Sequence, residues 1–201
     1  MISTRRTEMK NMHSQESGRS MVEMLGVLAI VGVLSVGGIA GYSQAMSKFK
    51  VTKAMDQVQT IITNIRTLYA SQRTYTSLTA VQAQAMGILT EESINGSQGL
   101  NPFGGTIEFG TGTTVGNNRT FTVKYTGLTS EACVKMATAD WGADQSSGLI
   151  TMTVSGGTAK TFKWANMNVT GGSMGELPVT VTEAATACGT SQNGAVTWEY
   201  R

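Results

Sequence analysis

Charge is scarce in this chain. Only 14% of its 201 residues are charged, and the formal net charge is +2. That excludes the highly charged make-up of a disordered tail or a basic nucleic-acid binder, and charge alone names no partner. Histidine is almost missing: His13 is the one copy and lies near the start. The rest of the chain therefore has no imidazole for general-base or metal chemistry. Cysteine is limited to Cys133 and Cys188, too few to build a zinc site unaided, which takes about four ligands. The pair reads as a disulfide, which needs an oxidising compartment; two buried free thiols are the alternative. No glycine-rich phosphate loop stands between a strand and a helix. The acids Glu91, Glu92, Glu108, Glu131, Asp140, Asp144, Glu176, Glu183 and Glu199 form no recognised catalytic motif. Asp140 and Asp144, four apart, read as solvated loop acids rather than a cation site. No cofactor, metal or enzymatic activity is expected.

What the chain does have is a long apolar run. From Met24 to Tyr42 there are nineteen residues without a charge. As a helix they extend about 28 Å, enough with their flanks for a hydrocarbon core of about 30 Å. The run exceeds the apolar stretch of a secretory signal, and no small-x-small cleavage site closes it. Arg5, Arg6, Lys10 and Arg19 precede it and favour a cytoplasmic N-terminus. Lys48, Lys50 and Lys53 follow it and blur that signal. They read as a solvated helix flank, with lipid head groups or DNA as alternatives. The oxidised cysteine pair then places the C-terminal half outside the inner membrane. One carboxylate, Glu23, stands at the head of the run. A carboxylate in hydrocarbon costs several kcal/mol unless it is paired, so its presence implies a partner.

Beyond the run, apolar residues recur at Val51, Met55, Val58, Ile61, Ile62, Ile65, Leu68 and Tyr69. Gaps of three and four mark one stripe of a helix. No proline breaks the chain here, and no glycine occurs between Gly41 and Gly87. The pattern predicts one helix from about Ser20 to about Gln72. A loop with a short helix near Leu78–Met86 follows. Strands are predicted in TFTVKYTG, LITMTVSGG, TAKTFKWANM and AVTWEYR, with a hairpin at Gly156–Gly157. In the first of these, Phe121, Val123 and Tyr125 face one way. Two further helices are predicted around Cys133 and Cys188, capped by Ser130 and Thr182, the second closed by Gly189. The fold class is α+β: a long N-terminal helix packed on an antiparallel sheet head. The expected divisions are 1–18, a leader; 19–72, the helix, with the span at 22–42; and 73–201, the head.

The leader ending in Gly18, the Glu at the fifth position after it, and SMVEMLGVLAIVGVLSVGG together resemble a type IV prepilin. The long leader, the large remainder and the NPFGG segment at 101–105 resemble the b class, of the conjugative-plasmid and enteric-colonisation type. The resemblance implies a type IV pilin fold with a disulfide-bounded C-terminal region, here Cys133 and Cys188. It implies cleavage between Gly18 and Arg19 by a prepilin peptidase and methylation of the new N-terminus at Arg19. It implies that Glu23 meets the N-terminal amine of a neighbouring subunit. Arg19 stands where many pilins carry Phe, Met or Leu, and offers Glu23 a second partner. Gly32, Gly37, Gly38 and Gly41 cluster where pilins of the a class often have a proline. Glycine costs about 1 kcal/mol in a helix interior, so this stretch is expected to loosen in a filament. Gly37 and Gly41 also form a Gly-xxx-Gly pair suited to close helix contact. The implied partners are copies of the chain in a homopolymer, the peptidase, an inner-membrane assembly platform and the membrane itself, with no nucleic acid. Location is the inner membrane, head periplasmic, and then the extracellular pilus. Two alternatives stand beside the pilus subunit: a minor pilin or secretion-system pseudopilin, and a single-span anchor for a periplasmic binding domain.

Overall fold

The computed structural model describes residues 16–72, 74–76, 78–116, 118–142, 145–169 and 172–201, with side chains from residue 21 onward except at 145. Helix α1 runs over Glu16–Leu68, 53 residues. By contacts the chain divides into two units, Met1–Met46 and Ser47–Arg201. In the first unit the described residues are helical throughout, and those from 21 to 45 are exposed on every face.

The second unit holds the core. Its part of α1 buries Val51, Ala54, Val58, Ile61, Ile62, Ile65 and Tyr69. This is the predicted stripe with three changes: Ala54 joins it, Met55 is only half-buried, and Leu68 turns out to solvent. The helix stops four residues short of the expected end. Past Leu68 the amides of Ala70 and Gln72 reach back three residues, to Thr67 and Tyr69, instead of four. Tyr69 then anchors the turn, with its ring 5.3 Å from that of Tyr75.

The remaining elements are β1 (Ile94–Asn95), β2 (Gln98–Leu100), β3 (Thr106–Thr111), β4 (Phe121–Leu128), β5 (Leu149–Ser155), β6 (Lys160–Lys163), β7 (Met174–Glu176) and β8 (Gly194–Tyr200), with α2 (Ala80–Ala85), α3 (Ser130–Thr138) and α4 (Val181–Cys188). The strands form one sheet in the order β1-β2-β3-β4-β8-β5-β6-β7. The last strand therefore sits at the centre, with Trp198 opposite Val123 on one side and Met152 on the other. The pairings are antiparallel, as expected, with one parallel pair added at the edge, β6 with β7.

Alternation decides which face is buried. Phe121, Val123 and Tyr125 of β4 are fully buried, as are Val196 and Trp198 of β8, while Thr122, Lys124 and Thr197 are only half-buried. The apolar face joins the stripe of α1 in one core with α3 and α4. A buried polar link ties helix to sheet. The Tyr125 hydroxyl donates to Gln57 Oε1 at 2.9 Å, and Gln57 Nε2 donates to Ser93 Oγ at 2.8 Å. Burial pushes the Tyr125 hydroxyl well above the usual tyrosine range, so it stays a donor at every physiological pH.

Candidate functional site

The candidate site begins with the exposed stretch of α1. Between Met21 and Tyr42 every large apolar side chain is between 52% and 75% exposed. This is a helix of high mean hydropathy, 2.2 over its most apolar window, with none of that window buried. Glycine there is not demanded by packing inside the chain. A Cβ added at Gly26, Gly32, Gly37, Gly38 or Gly41 would meet no atom within 4 Å. The helix continues unbroken through Gly32–Gly41. Glu23 lies on the exposed helix surface near its start. Gly18 and Arg19 fall on helical backbone, and the Arg19 side chain is outside the described atoms, as is the leader up to residue 15. Gly18, Arg19, Glu23 and the glycines at 32–41 thus lie on one helical segment whose large apolar side chains, from Met21 to Tyr42, are exposed.

The second part is the cysteine-tied end of the head. Cys133 and Cys188 are bonded, with Cα atoms 5.9 Å apart and 55 positions between them in sequence. The bridge joins α3 to α4. Both expected caps shift by one or two residues. Thr129, not Ser130, caps α3, its hydroxyl accepting from the Ala132 amide. Ser130 instead donates to the Gly189 carbonyl at 2.5 Å, tying α3 to the end of α4. Thr180, not Thr182, caps α4, accepting from the Glu183 amide. Neighbouring hydroxyl residues compete for each cap, and the extended backbone of Thr129 and Thr180 decides it. Glu183 also receives Lys160 of β6 at 2.7 Å, so sheet and α4 are pinned by an ion pair as well.

The Asn101–Gly105 turn is built as a closed unit. Asn101 is only 5% exposed. Its Oδ1 accepts from the amides of Phe103 and Gly105, and its Nδ2 donates to the Thr126 carbonyl at 2.8 Å. Gly105 is required: a Cβ there would lie 1.9 Å from the Thr126 oxygen. Gly104 has φ of +85°, a region that other residues adopt at a cost.

Among the described acids, Glu199 is buried: it is 6% exposed on the central strand. It accepts from the Thr114 amide and hydroxyl, from Thr120 at 2.7 Å and from Thr151 at 3.3 Å. Four donors saturate the carboxylate and hold the segment between β3 and β4 against the sheet. Asp140 accepts from the Gly142 amide, and Asp144 lies outside the described residues. Among the described residues no three of His, Cys, Asp and Glu converge as a metal set. A shallow groove of about 390 Å³ is lined by Arg66, Asp140, Trp141 and Tyr200. Arg66 there donates to the Ser147 carbonyl at 2.8 Å.

The family model described as bundlin matches residues 43–201. The structure is similar to the crystal structure of TcpA, a type IV pilin from Vibrio cholerae El Tor biotype. The TM-score is 0.52 and the identity 18%, over 76% of this chain and 99% of that one. It is also similar to the crystal structure of a type IV b pilin from Salmonella typhi, with TM-score 0.48 and identity 19%, over 75% and 97% of the two chains. No curated protein sequence matches.

Proposed function

The chain belongs to the bundlin family of type IVb pilins, and from that premise we propose that it is made as a prepilin and works as the repeating subunit of a pilus. It is a structural protein and not an enzyme, as its family is. The family match begins at residue 43, so the N-terminal part of the reading stands on its own residues. Residues 1–18 are a leader, removed by a prepilin peptidase between Gly18 and Arg19. The helix then runs from residue 19 to Leu68, with its span at 22–42, and the rest of the chain forms the head. Before assembly the span crosses the inner membrane and the head is periplasmic. An assembly platform in that membrane then moves the subunit into an extracellular filament.

The carrying observation is the outward-facing apolar side chains of Met21–Tyr42. An apolar helix face this large is not left in water. A bilayer covers it first, and the same segment of neighbouring copies covers it in the polymer. Inside such a bundle Glu23 needs a cation, and the new N-terminus of the next subunit supplies one. Arg19 supports the same carboxylate and carries the N-methyl group. The glycines at 32, 37, 38 and 41 let helices approach and let the segment unwind; electron cryo-microscopy of the filament, showing either a gap or continuous helix there, decides that part. Adhesion, aggregation or conjugation contact would then be properties of the polymer.

The test is to shear cells, pellet the released material and take its intact mass without reductant. A species starting at Arg19 and two hydrogens light supports a processed, assembled and disulfide-bonded subunit. The full-length chain retained in the inner membrane overturns it in favour of an anchored binding domain. Trace amounts in the sheared fraction point instead to a minor pilin or pseudopilin.

A further inference from the structure

Seven lysines follow the apolar segment, and they fall into two sets. All four in the head are engaged. Lys124 pairs with Glu108, Lys135 with Glu131 and Lys160 with Glu183. Lys163 donates to the carbonyls of Met167 and Val169. The three on α1 differ. Among the described residues, none of Lys48, Lys50 and Lys53 is in an ion pair or a side-chain hydrogen bond. Lys48 and Lys53 are exposed and Lys50 is half-buried. Phe49, in their midst, is 60% exposed. Helical winding of about 100° per residue sets Lys48 and Lys50 on opposite flanks of Phe49, with Lys53 one turn further along the same side. The acids nearby are few: Asp56 follows Lys53 by three positions, and Glu131 lies within electrostatic reach of Lys48 but is held by Lys135.

We propose that Lys48, Phe49, Lys50 and Lys53 form a collar that binds anionic phospholipid head groups on the head side of the bilayer while the subunit waits in the membrane. The proposal rests on the membrane stage of the function above. Only five residues separate Tyr42, the end of the span, from Lys48. Six steps of helix reach about 9 Å, just past a head-group zone of about 5–8 Å, so Lys48 and Lys50 can reach back to it, while Lys53, about 16 Å along, feels its field. Aromatic side chains settle at that level, and lysines there gain from anionic lipid. Cations on this side of a span also work against the bias that keeps positive charge in the cytoplasm. The head engages each of its own lysines, three in ion pairs and Lys163 on carbonyls, whereas these three keep their charge available to a partner outside the chain. A lipid surface is the partner that chain connectivity places beside them.

The test uses the full chain in nanodiscs, of phosphatidylcholine alone or rich in phosphatidylglycerol. Lysines are acylated with a water-soluble reagent and read one by one by mass spectrometry. In the anionic discs, labelling of Lys48 should fall at least about threefold and that of Lys53 by less, and added salt should restore both. Lys124 and Lys135 should label alike in both discs. A K48Q/K50Q/K53Q variant should still insert but lose its preference for anionic vesicles. Equal labelling in the two lipids overturns the collar alone. So does protection in neutral discs that grows with the number of subunits per disc, because it assigns the lysines to a neighbouring copy. A chain that inserts into neither lipid overturns the membrane stage and the collar together.

Discussion

One helix carries two opposite kinds of surface. In the stretch from Met21 to Tyr42, α1 is apolar all round and all its large side chains are exposed. In the stretch from Val51 to Tyr69, apolar residues other than Leu68 are confined to a stripe, and that stripe packs into the core with the sheet. Both are free of proline, and the first is helical despite five glycines while the second has none, so helix propensity does not explain their surfaces. The difference is where the covering surface comes from. The second stretch is covered by its own chain, so its pattern has the period of a helix lying on a sheet. The first has no cover within the described structure, and lack of periodicity is the mark of a segment surrounded on every side. The lesson is that a uniformly apolar helix reports on partners, while a striped one reports on the fold.

The largest expected effect comes from breaking the first stretch at its one charge. Glu23→Ala should lower the yield of sheared filaments by at least about tenfold, with the amount in the inner membrane and the melting of the head unchanged. Normal filament yield would remove Glu23 from assembly. The next effect belongs to the head. Opening the bridge by Cys133→Ala with Cys188→Ala should cost the head about 4 kcal/mol in the chain-entropy picture, given a loop of 55 positions. Denaturant unfolding of the purified chain measures it. A loss under about 1 kcal/mol would mean that the α3–α4 contacts hold without the bond.

The comparison itself is tested by equal truncations on the two stretches. Ile65 is fully buried, and Ile65→Ala should destabilise the head by about 2–5 kcal/mol. Val33 is 75% exposed, so Val33→Ala should leave head unfolding where it was and act only on filament formation. If both substitutions shift unfolding alike, the two stretches are not covered from different sources.

Much of this was legible in the sequence because each stretch advertises its solvent. The run at 24–42, the stripe at 51–69 and the alternation at Phe121, Val123 and Tyr125 are local signals, and each marks the element found there. Strands β1, β2 and β7 were not legible, having two or three residues each, too few for a period to appear. Strand β3 drew no prediction, its alternation at Ile107 and Phe109 being cut short by Gly110. The parallel β6–β7 pair and the central place of β8 are set by long-range pairing, which no window of sequence contains. Glu199 shows the same limit at one residue. Alternation with Trp198 and Tyr200 puts it on the outer face of the sheet, and only the segment carrying Thr114 and Thr120 buries it. The disulfide was legible as a pair, whereas the caps at Thr129 and Thr180 were obscured by the hydroxyl residues beside them.

The smallest effect sharpens the comparison from the head side. Glu183 closes the cap of α4 with Thr180 and ties the helix to Lys160 of β6. The hydrogen bond from Lys160 comes first, and that from Thr180 second, in holding its carboxyl below the ordinary glutamate value of 4.5. A carboxyl lowered by folding contributes stability that is fully present above its unfolded value and is lost as the pH falls through the folded one. The pair is partly exposed, so water screens it and the effect on global unfolding is slight. Amide exchange reads it more locally. From neutral pH down to about 3, once the intrinsic rate is divided out, protection in the first turn of α4 should drop, and Glu183→Gln should abolish the pH dependence. The apolar stretch of α1 beyond Glu23 has no titrating group to respond, so its protection should stay flat. A fall there of the same size would show that acid loosens the chain as a whole, and not the one joint that the Lys160–Glu183 pair maintains.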